Sequence, residues 1–488
     1  MKSRTRVLHR LTRGAVATAL LVLVGCGSNT SISSATTIKT VSYVPANFDW
    51  KACDDSASTT SVQCSTLEVP FDYNDPSAGT FTLYVKLRPA TDPALRIGSM
   101  MVNPGGPGFG GSSLADDASY YFSSDISDHF DIIAWDPRGT GKSTPAVDCV
   151  DDYDQYFGID SPPDTPAEKQ ALIDASQKFN DECMANSGEI LPYISTQASA
   201  TDMDSIRQAL GEDKISYFGF SYGSELGATW ATMFPHTVRA AVFDGAVDPH
   251  ATSAQEGMAQ ANGFEGQLTT FLKACSKNST CEFYNGGKAE AAFDSLLLEL
   301  NTKPIMVSKD RTPVTQGVAF TAVAQAMYSD SYWPQLEQAL ADAQKGDGAG
   351  LLKLYDDYYQ RKDDGSYGNE LEAFLAISCL DDPGATSVKA VEDAVPNFVD
   401  AAPRLGANFG YGFSCALWPV KPATKVDVTG KGAGPIVVVG TTGDPATPLE
   451  STRKMAAALE QGVLLIVEAN QHTGMAPMTA STMRSIRI

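Results

Sequence analysis

Short, wholly apolar runs alternate with amphipathic stretches along most of this chain. Residues 62–69 and 80–87 read as two strands around a turn-rich segment, 72–79. Residues 97–102, 130–135, 215–218, 238–243, 435–439 and 463–467 read as further strands. Between them, 201–210 carries helical spacing at Met203, Ile206 and Leu210, with Thr201 or Asp202 as N-cap. Residues 224–233 and 451–459 read as helices too. Strands that alternate with helices build a parallel sheet covered on both faces. Two stretches break the rhythm. Residues 150–192 are acidic and polar, carry Cys183 and read as an insertion. Residues 250–419 are helical in pattern almost throughout. The pattern therefore predicts an α/β fold with a mostly parallel central sheet and a helical layer inserted over one end of it.

The N-terminus changes the picture of where such a body works. Lys2, Arg4, Arg6, Arg10 and Arg13 precede an apolar stretch, 14–24, too short to stay in a bilayer as a spanning helix. It runs into Leu23-Val24-Gly25-Cys26, which resembles a bacterial lipobox, where Cys26 is lipidated and becomes the mature N-terminus. The expected organisation is a lipoprotein signal peptide at 1–25, a flexible Ser/Thr-rich tether at 26–48, a core at 49–249, a helical cap at 250–425 and the rest of the core at 426–488. The body is expected outside the cytoplasm, lipid-anchored to the cell membrane or secreted, and monomeric. The formal charge of −22 repels phosphate, which argues against nucleic acid and against docking on anionic head groups. Eight cysteines remain after Cys26, an even number that suits disulfides in an exported protein. Pairing each with its neighbour in sequence predicts Cys53–Cys64, Cys149–Cys183, Cys275–Cys281 and Cys379–Cys415. No CxxC or HExxH spacing is present, so neither a metal nor a cofactor is expected.

Chemistry concentrates at the strand ends. Gly219-Phe-Ser-Tyr-Gly223 follows an apolar strand and precedes a helix, the context of a nucleophile elbow that exposes Ser221. Of five His, His9 leaves with the signal, His129 precedes Ser221, and His236 and His250 flank the strand after the elbow helix. Asp444 and His472 each follow a later strand, so Ser221, Asp444 and His472 fall in the order nucleophile, acid, base. The oxyanion needs two preset N–H donors. Tyr222, next to the nucleophile, offers one, and Gly106 in the Gly-rich stretch 103–111 offers the other. Gly139-Thr-Gly-Lys-Ser143 lacks the first Gly of a phosphate loop, since position 136 is Asp, so nucleotide binding is not expected.

Jointly, Asn103-Pro-Gly-Gly-Pro-Gly108, Asp136-Pro-Arg-Gly-Thr-Gly-Lys-Ser143, Gly219-Phe-Ser-Tyr-Gly223, Ala376-Ile-Ser-Cys-Leu-Asp381, Cys415-Ala-Leu-Trp-Pro419 and Gly443-Asp-Pro-Ala-Thr-Pro448 resemble the tripeptidyl aminopeptidase group of α/β-hydrolases. The resemblance runs from about Trp50 to His472. It implies an α/β-hydrolase fold and a serine peptidase that releases short peptides from free N-termini under a helical cap. The family closes with a further helix after its catalytic His. Here residues 479–488 show no sustained amphipathic period, so a different backing of His472 is expected.

A free α-ammonium needs a carboxylate under the cap. Glu370, Glu372, Asp381 and Asp382 are candidates, and the resemblance favours Asp381. Two other readings stay open: a carboxylesterase or lipase with the same triad, and a non-catalytic surface lipoprotein that binds peptides.

Overall fold

The computed structural model describes residues 43–54, 61–475 and the backbone of 486–487. The leader, Cys26 and most of the segment after Met475 lie outside the described residues. The strands are β1 (Lys51–Ala52), β2 (Gln63–Asp72), β3 (Asp75–Arg88), β4 (Gly98–Asn103), β5 (Phe130–Trp135), β6 (Ile215–Phe220), β7 (Val238–Asp244), β8 (Ile436–Thr441), β9 (Gly462–Val467) and β10 (Ile486–Arg487). They form one sheet in the order β1-β2-β3-β5-β4-β6-β7-β8-β9-β10. From β5 through β9 every neighbouring pair is parallel, whereas β1, β2, β3 and β10 pair antiparallel. Every residue of β4 and β6 is buried, which explains why those runs show no alternation.

The segment 72–79 is not the loop that its turn residues suggest. Asp72 pairs with Asp75, so only Tyr73 and Asn74 lie between the two long strands. The ladder there runs on through polar residues, because backbone pairing needs no apolar side chain. The chain leaves β4 for β5 on one side and returns to β6 on the other. The connections diverge there and open a crevice at the C-terminal ends of β4 and β6.

Three helices flank this crevice in the first half of the chain: α1 (Pro166–Ser187), α2 (Thr196–Ala209) and α3 (Tyr222–Met233). α2 starts before the expected cap. Ser195 Oγ accepts the Ala198 N–H at 3.3 Å, and Ser195, not Thr201 or Asp202, is the N-cap. The first turn is small and polar yet largely buried, so it gave no apolar signal. Between β7 and β8 the chain is helical, as its pattern predicts. α4 (Ser253–Lys277), α5 (Gln316–Met327) and α6 (Glu370–Asp381) belong to this layer. Most of it has its own core around Phe264, Phe271, Phe293 and Tyr355. α6 differs, because Ala373, Ala376, Ile377 and Leu380 join the main core instead.

All four expected cysteine pairs are bonded, with Cα separations of 5.0, 4.1, 5.3 and 4.8 Å from Cys53–Cys64 to Cys379–Cys415. No helix among the described residues is long and apolar enough to cross a membrane.

The motif 136–143 is a structural knot. Asp136 accepts the N–H groups of Ser112 and Lys142, each at 2.8 Å, and so closes its own turn. Arg138 is fully buried and spends its guanidinium on Asp202 at 2.6 and 2.7 Å and on the carbonyls of Pro70, Phe71 and Tyr193. β2, the turn after β5 and α2 thus meet on one cation. Asp202→Ala leaves that cation buried without its anion, at a cost of about 3–5 kcal/mol. Urea unfolding of the variant should show a loss of that size.

Candidate active site

The site grows from one backbone turn at the C-terminal end of β6. Ser221 adopts φ 54° and ψ −124°, a conformation that L residues rarely take. Its flanking glycines are forced by space. A Cβ on Gly219 would lie 2.3 Å from the Gly223 carbonyl oxygen, and one on Gly223 would lie 2.9 Å from Asn103 Oδ1. The turn is held by Ser221 N–H donating to the Asp244 carbonyl and Ser224 N–H donating to the Ser221 carbonyl, each at 2.8 Å. Tyr222 opens α3, so its N–H has no partner within the helix, and the helix dipole favours negative charge there.

The loop after β4 crowds this turn. Gly105 spends its N–H on Asn103 Oδ1 at 2.9 Å, and a Cβ on it would strike the Phe220 carbonyl and Ser221 Cβ. Gly106 lines the two cavities that meet at Ser221. Its N–H makes no hydrogen bond among the described residues, so it is free to serve a ligand.

Asp444 and His472 come together from the turns after β8 and β9. His472 Nδ1 lies 2.8 Å from Asp444 Oδ1. The same carboxylate accepts the N–H groups of Ala446 and Thr447 and the Thr447 hydroxyl, at 2.8–3.0 Å. Burial disfavours the imidazolium, but the Asp444 charge and hydrogen bond, with Asp244 adding to them, outweigh it and raise His472 above its ordinary value. His236 and His250 lie elsewhere: His236 in the turn before β7, and His250 against Asp427 at 3.1 Å. Ser221 Oγ makes no hydrogen bond among the described residues, so its expected link to His472 is not formed here. Such bonds often close only when substrate binds. Tyr328 and Thr447 touch the His472 side chain and also line the cavity that holds Ser221.

The backing of His472 is firm. Toward the cap, His472 N–H donates to the Tyr328 carbonyl at 2.9 Å, Asp330 N–H donates to Asn470 at 3.1 Å, and Ser329 bridges Gln471. Toward the sheet, the N–H groups of Gly474 and Met475 both donate to the Asp244 carboxylate at 2.7 Å.

Two cavities share Ser221. One, of about 450 Å³, is rich in aromatic side chains, with Phe109, Tyr328, Tyr332, Tyr358, Tyr359 and Phe374 in its wall beside Asp357 and Glu370. The other, of about 290 Å³, is acidic, with Glu225, Glu256, Asp381 and Asp382 around a single cation, Lys425. Of the carboxylates expected under the cap, Asp381 and Asp382 line this cavity and Glu370 lines the aromatic one. Glu372 lines neither. It is buried and accepts the N–H groups of Cys149 and Val150, each at 2.8 Å, pinning α6 to the acidic insertion.

Asp381 also has a local task. It accepts the Thr196 N–H at 3.0 Å and the Thr196 hydroxyl at 2.6 Å, and that hydroxyl pairs with the Tyr222 phenol. Glu256, by contrast, has no hydrogen-bond partner among the described residues. Burial, and then the neighbouring Glu225, pushes it up to about 7. Burial does the same to Asp381, despite its bonds to Thr196. Sequence reasoning missed Glu225 and Glu256. Glu225 stands four residues after Ser221, one helical turn along α3, which is a usable signal. Glu256 sits in the first turn of α4, where acidic residues are common for reasons of dipole alone.

Residues 98–474 match the family model described as the alpha/beta hydrolase fold. Serine protease Hip1 of Mycobacterium tuberculosis is 33% identical over 482 residues, covering 94% of this chain and 91% of that protein. Carboxylesterase B of the same organism is 36% identical over 440 residues, 87% of this chain and 84% of that one. The tripeptidyl aminopeptidase of Streptomyces lividans is 30% identical over 419 residues, 83% of this chain and 77% of that one. With the elbow, the Asp444–His472 pair and these matches along nearly its whole length, the chain belongs to the α/β-hydrolase family, alongside the tripeptidyl aminopeptidases, and is a serine hydrolase.

Proposed function

We propose that the protein is an exported serine exopeptidase that releases short peptides, tripeptides among them, from free N-termini. The observation that carries this reading is the acidic cavity at Ser221. Four carboxylates facing one lysine leave a negative excess in a half-buried space, and a substrate ammonium answers it. The cavity's volume of about 290 Å³ suits a short N-terminal segment. The remainder of the substrate then lies across Ser221 toward the aromatic cavity.

In this reading Ser221 Oγ attacks the scissile carbonyl carbon, and its proton passes to His472 Nε2. Asp444 on Nδ1 fixes the tautomer and stabilises the imidazolium. The N–H groups of Gly106 and Tyr222 receive the oxyanion. His472 returns the proton to the leaving amine, and water then hydrolyses the acyl-enzyme. Glu256, the carboxylate without a partner, is the foremost anchor for the ammonium, and Asp381 and Asp382 complete its surroundings. Four disulfides support an oxidising compartment and, with the leader read in the sequence, export and a lipid anchor at Cys26.

A second reading has its own support. The aromatic cavity of about 450 Å³ suits an apolar acyl group, and one relative is named a carboxylesterase. A panel of a free tripeptide p-nitroanilide, its N-acetyl form and a p-nitrophenyl ester separates the two. Acetylation removes the cation and leaves the carboxylates unanswered, a loss of about 2–5 kcal/mol. The blocked peptide should therefore be cleaved about thirtyfold more slowly or worse. Glu256→Gln should narrow that ratio by raising KM for the free peptide alone. Equal kcat/KM on the two peptides would sink the exopeptidase reading and leave the esterase.

Ser221→Ala should lower turnover by several orders of magnitude with an unchanged melting temperature, and mass spectrometry should find an alkyl fluorophosphonate on Ser221 in the unmodified protein. The base works only when neutral, so activity is absent in acid and appears as pH rises through the value of His472. Since that value is raised, the ascending limb of kcat on the free peptide should lie above about 6.5.

A further inference from the structure

Asp244 closes β7 and is fully buried, yet no Lys or Arg among the described residues pairs with it. Its three oxygen atoms reach both halves of the proposed reaction centre. The carbonyl oxygen holds the Ser221 N–H at 2.8 Å. The two carboxylate oxygens hold Gly474 and Met475, the second and third residues after His472, each at 2.7 Å. The backbone around it is shaped for close approach. Gly245 follows with φ 68°, and a Cβ there would lie 3.0 Å from the His472 carbonyl oxygen and 3.3 Å from His472 Cε1. A Cβ on Gly474 would lie 2.8 Å from Val439 and 3.0 Å from Val467, so the loop lies directly against β8 and β9. A buried carboxylate that serves only to hold two N–H groups is an expensive choice, since a carbonyl or an Asn oxygen can hold an N–H without a charge.

We propose that Asp244 is a positioning residue of the reaction: it fixes nucleophile and base in one frame, and its negative charge is a second anion for the imidazolium that forms when His472 takes the Ser221 proton. Asp444 holds the ring directly, and Asp244 acts through the loop and through space. The charged and titratable groups around the pair are few. Asp244 feels His472 and Asp444, while His472 feels Asp444 and Asp244, with the Tyr328 ring packed edge-on from the cap. Burial pushes the Asp244 carboxyl up to about 6, against the pull of its two N–H groups and of His472. The charge on each group therefore bears on the protonation of the other.

The inference rests on Ser221 and His472 as nucleophile and base, and the test uses no peptide. An alkyl fluorophosphonate reacts when Ser221 Oγ bonds to phosphorus, fluoride leaves and the Oγ proton passes to His472. The rate of this labelling against pH therefore reports the base. In Asp244→Asn, at unchanged melting temperature, the ascending limb should move to lower pH, because an anion has been taken from His472. The plateau should fall about tenfold or more, since misplacement by about 1 Å costs up to about a hundredfold. An unmoved limb overturns the proposal, whatever the plateau does. Absence of labelling at Ser221 in the unmodified protein overturns the nucleophile assignment and this proposal with it. Should Asp244→Asn fail to fold, the ring proton resonances of His472 in the unmodified protein decide. They should follow two coupled steps, and a single step overturns the proposal.

Discussion

Everything at this centre depends on a peptide turn that the backbone resists. Ser221 sits at positive φ, and such a residue costs on the order of 1–3 kcal/mol unless its surroundings enforce it. Here they do so by removing space. Gly219 has the Gly223 carbonyl against it and Gly223 has Asn103, so neither has room for a side chain, the Gly105 backbone closes from the neighbouring loop, and the Asp244 carbonyl captures the serine N–H. The strain lifts the hydroxyl off the sheet and turns the first N–H of α3 toward the same point. On the proposed mechanism, nucleophile and oxyanion donor are therefore products of one turn.

Much of this was legible in the sequence, and the parts that were not share a physical reason. Strands buried on both faces announce themselves by apolar runs, so β4 to β9 stand close to their expected places. The order Ser221, Asp444, His472 follows from which loops those strands feed. What escaped was polar and long-range. α2 begins early because Ser195 and Asp381, distant in sequence, tie down its first turn, and no periodicity reports a cap. The candidate Glu372 looked like its neighbours Glu370 and Asp382, yet it is spent on two backbone N–H groups of the insertion. Glu256 was overlooked because its value lies in what it lacks, a partner, and only a three-dimensional arrangement can show that.

The acidic lining fits the same logic of unanswered charge. Raised carboxyls at Glu256 and Asp381 mean that the empty cavity works against its own ionisation. On the proposed reading, a cationic ligand supplies the charge that offsets this desolvation and repulsion, so recognition of charge and filling of the cavity are one event. In its proposed role, Asp244 extends the theme toward the sheet, where a charge with no cation beside it answers one that exists only during turnover.

The bridge between Ser329 and Gln471 ties the inserted layer to the loop that carries the base. A roof joined in this way cannot swing out like a hinged door and leave the machinery beneath it intact. Any large excursion of the layer would drag Asn470 and His472 with it and silence the nucleophile until it settled back. On the proposed mechanism, admitting a bulky chain by lifting the layer and keeping the base in place are then competing demands on the same few contacts.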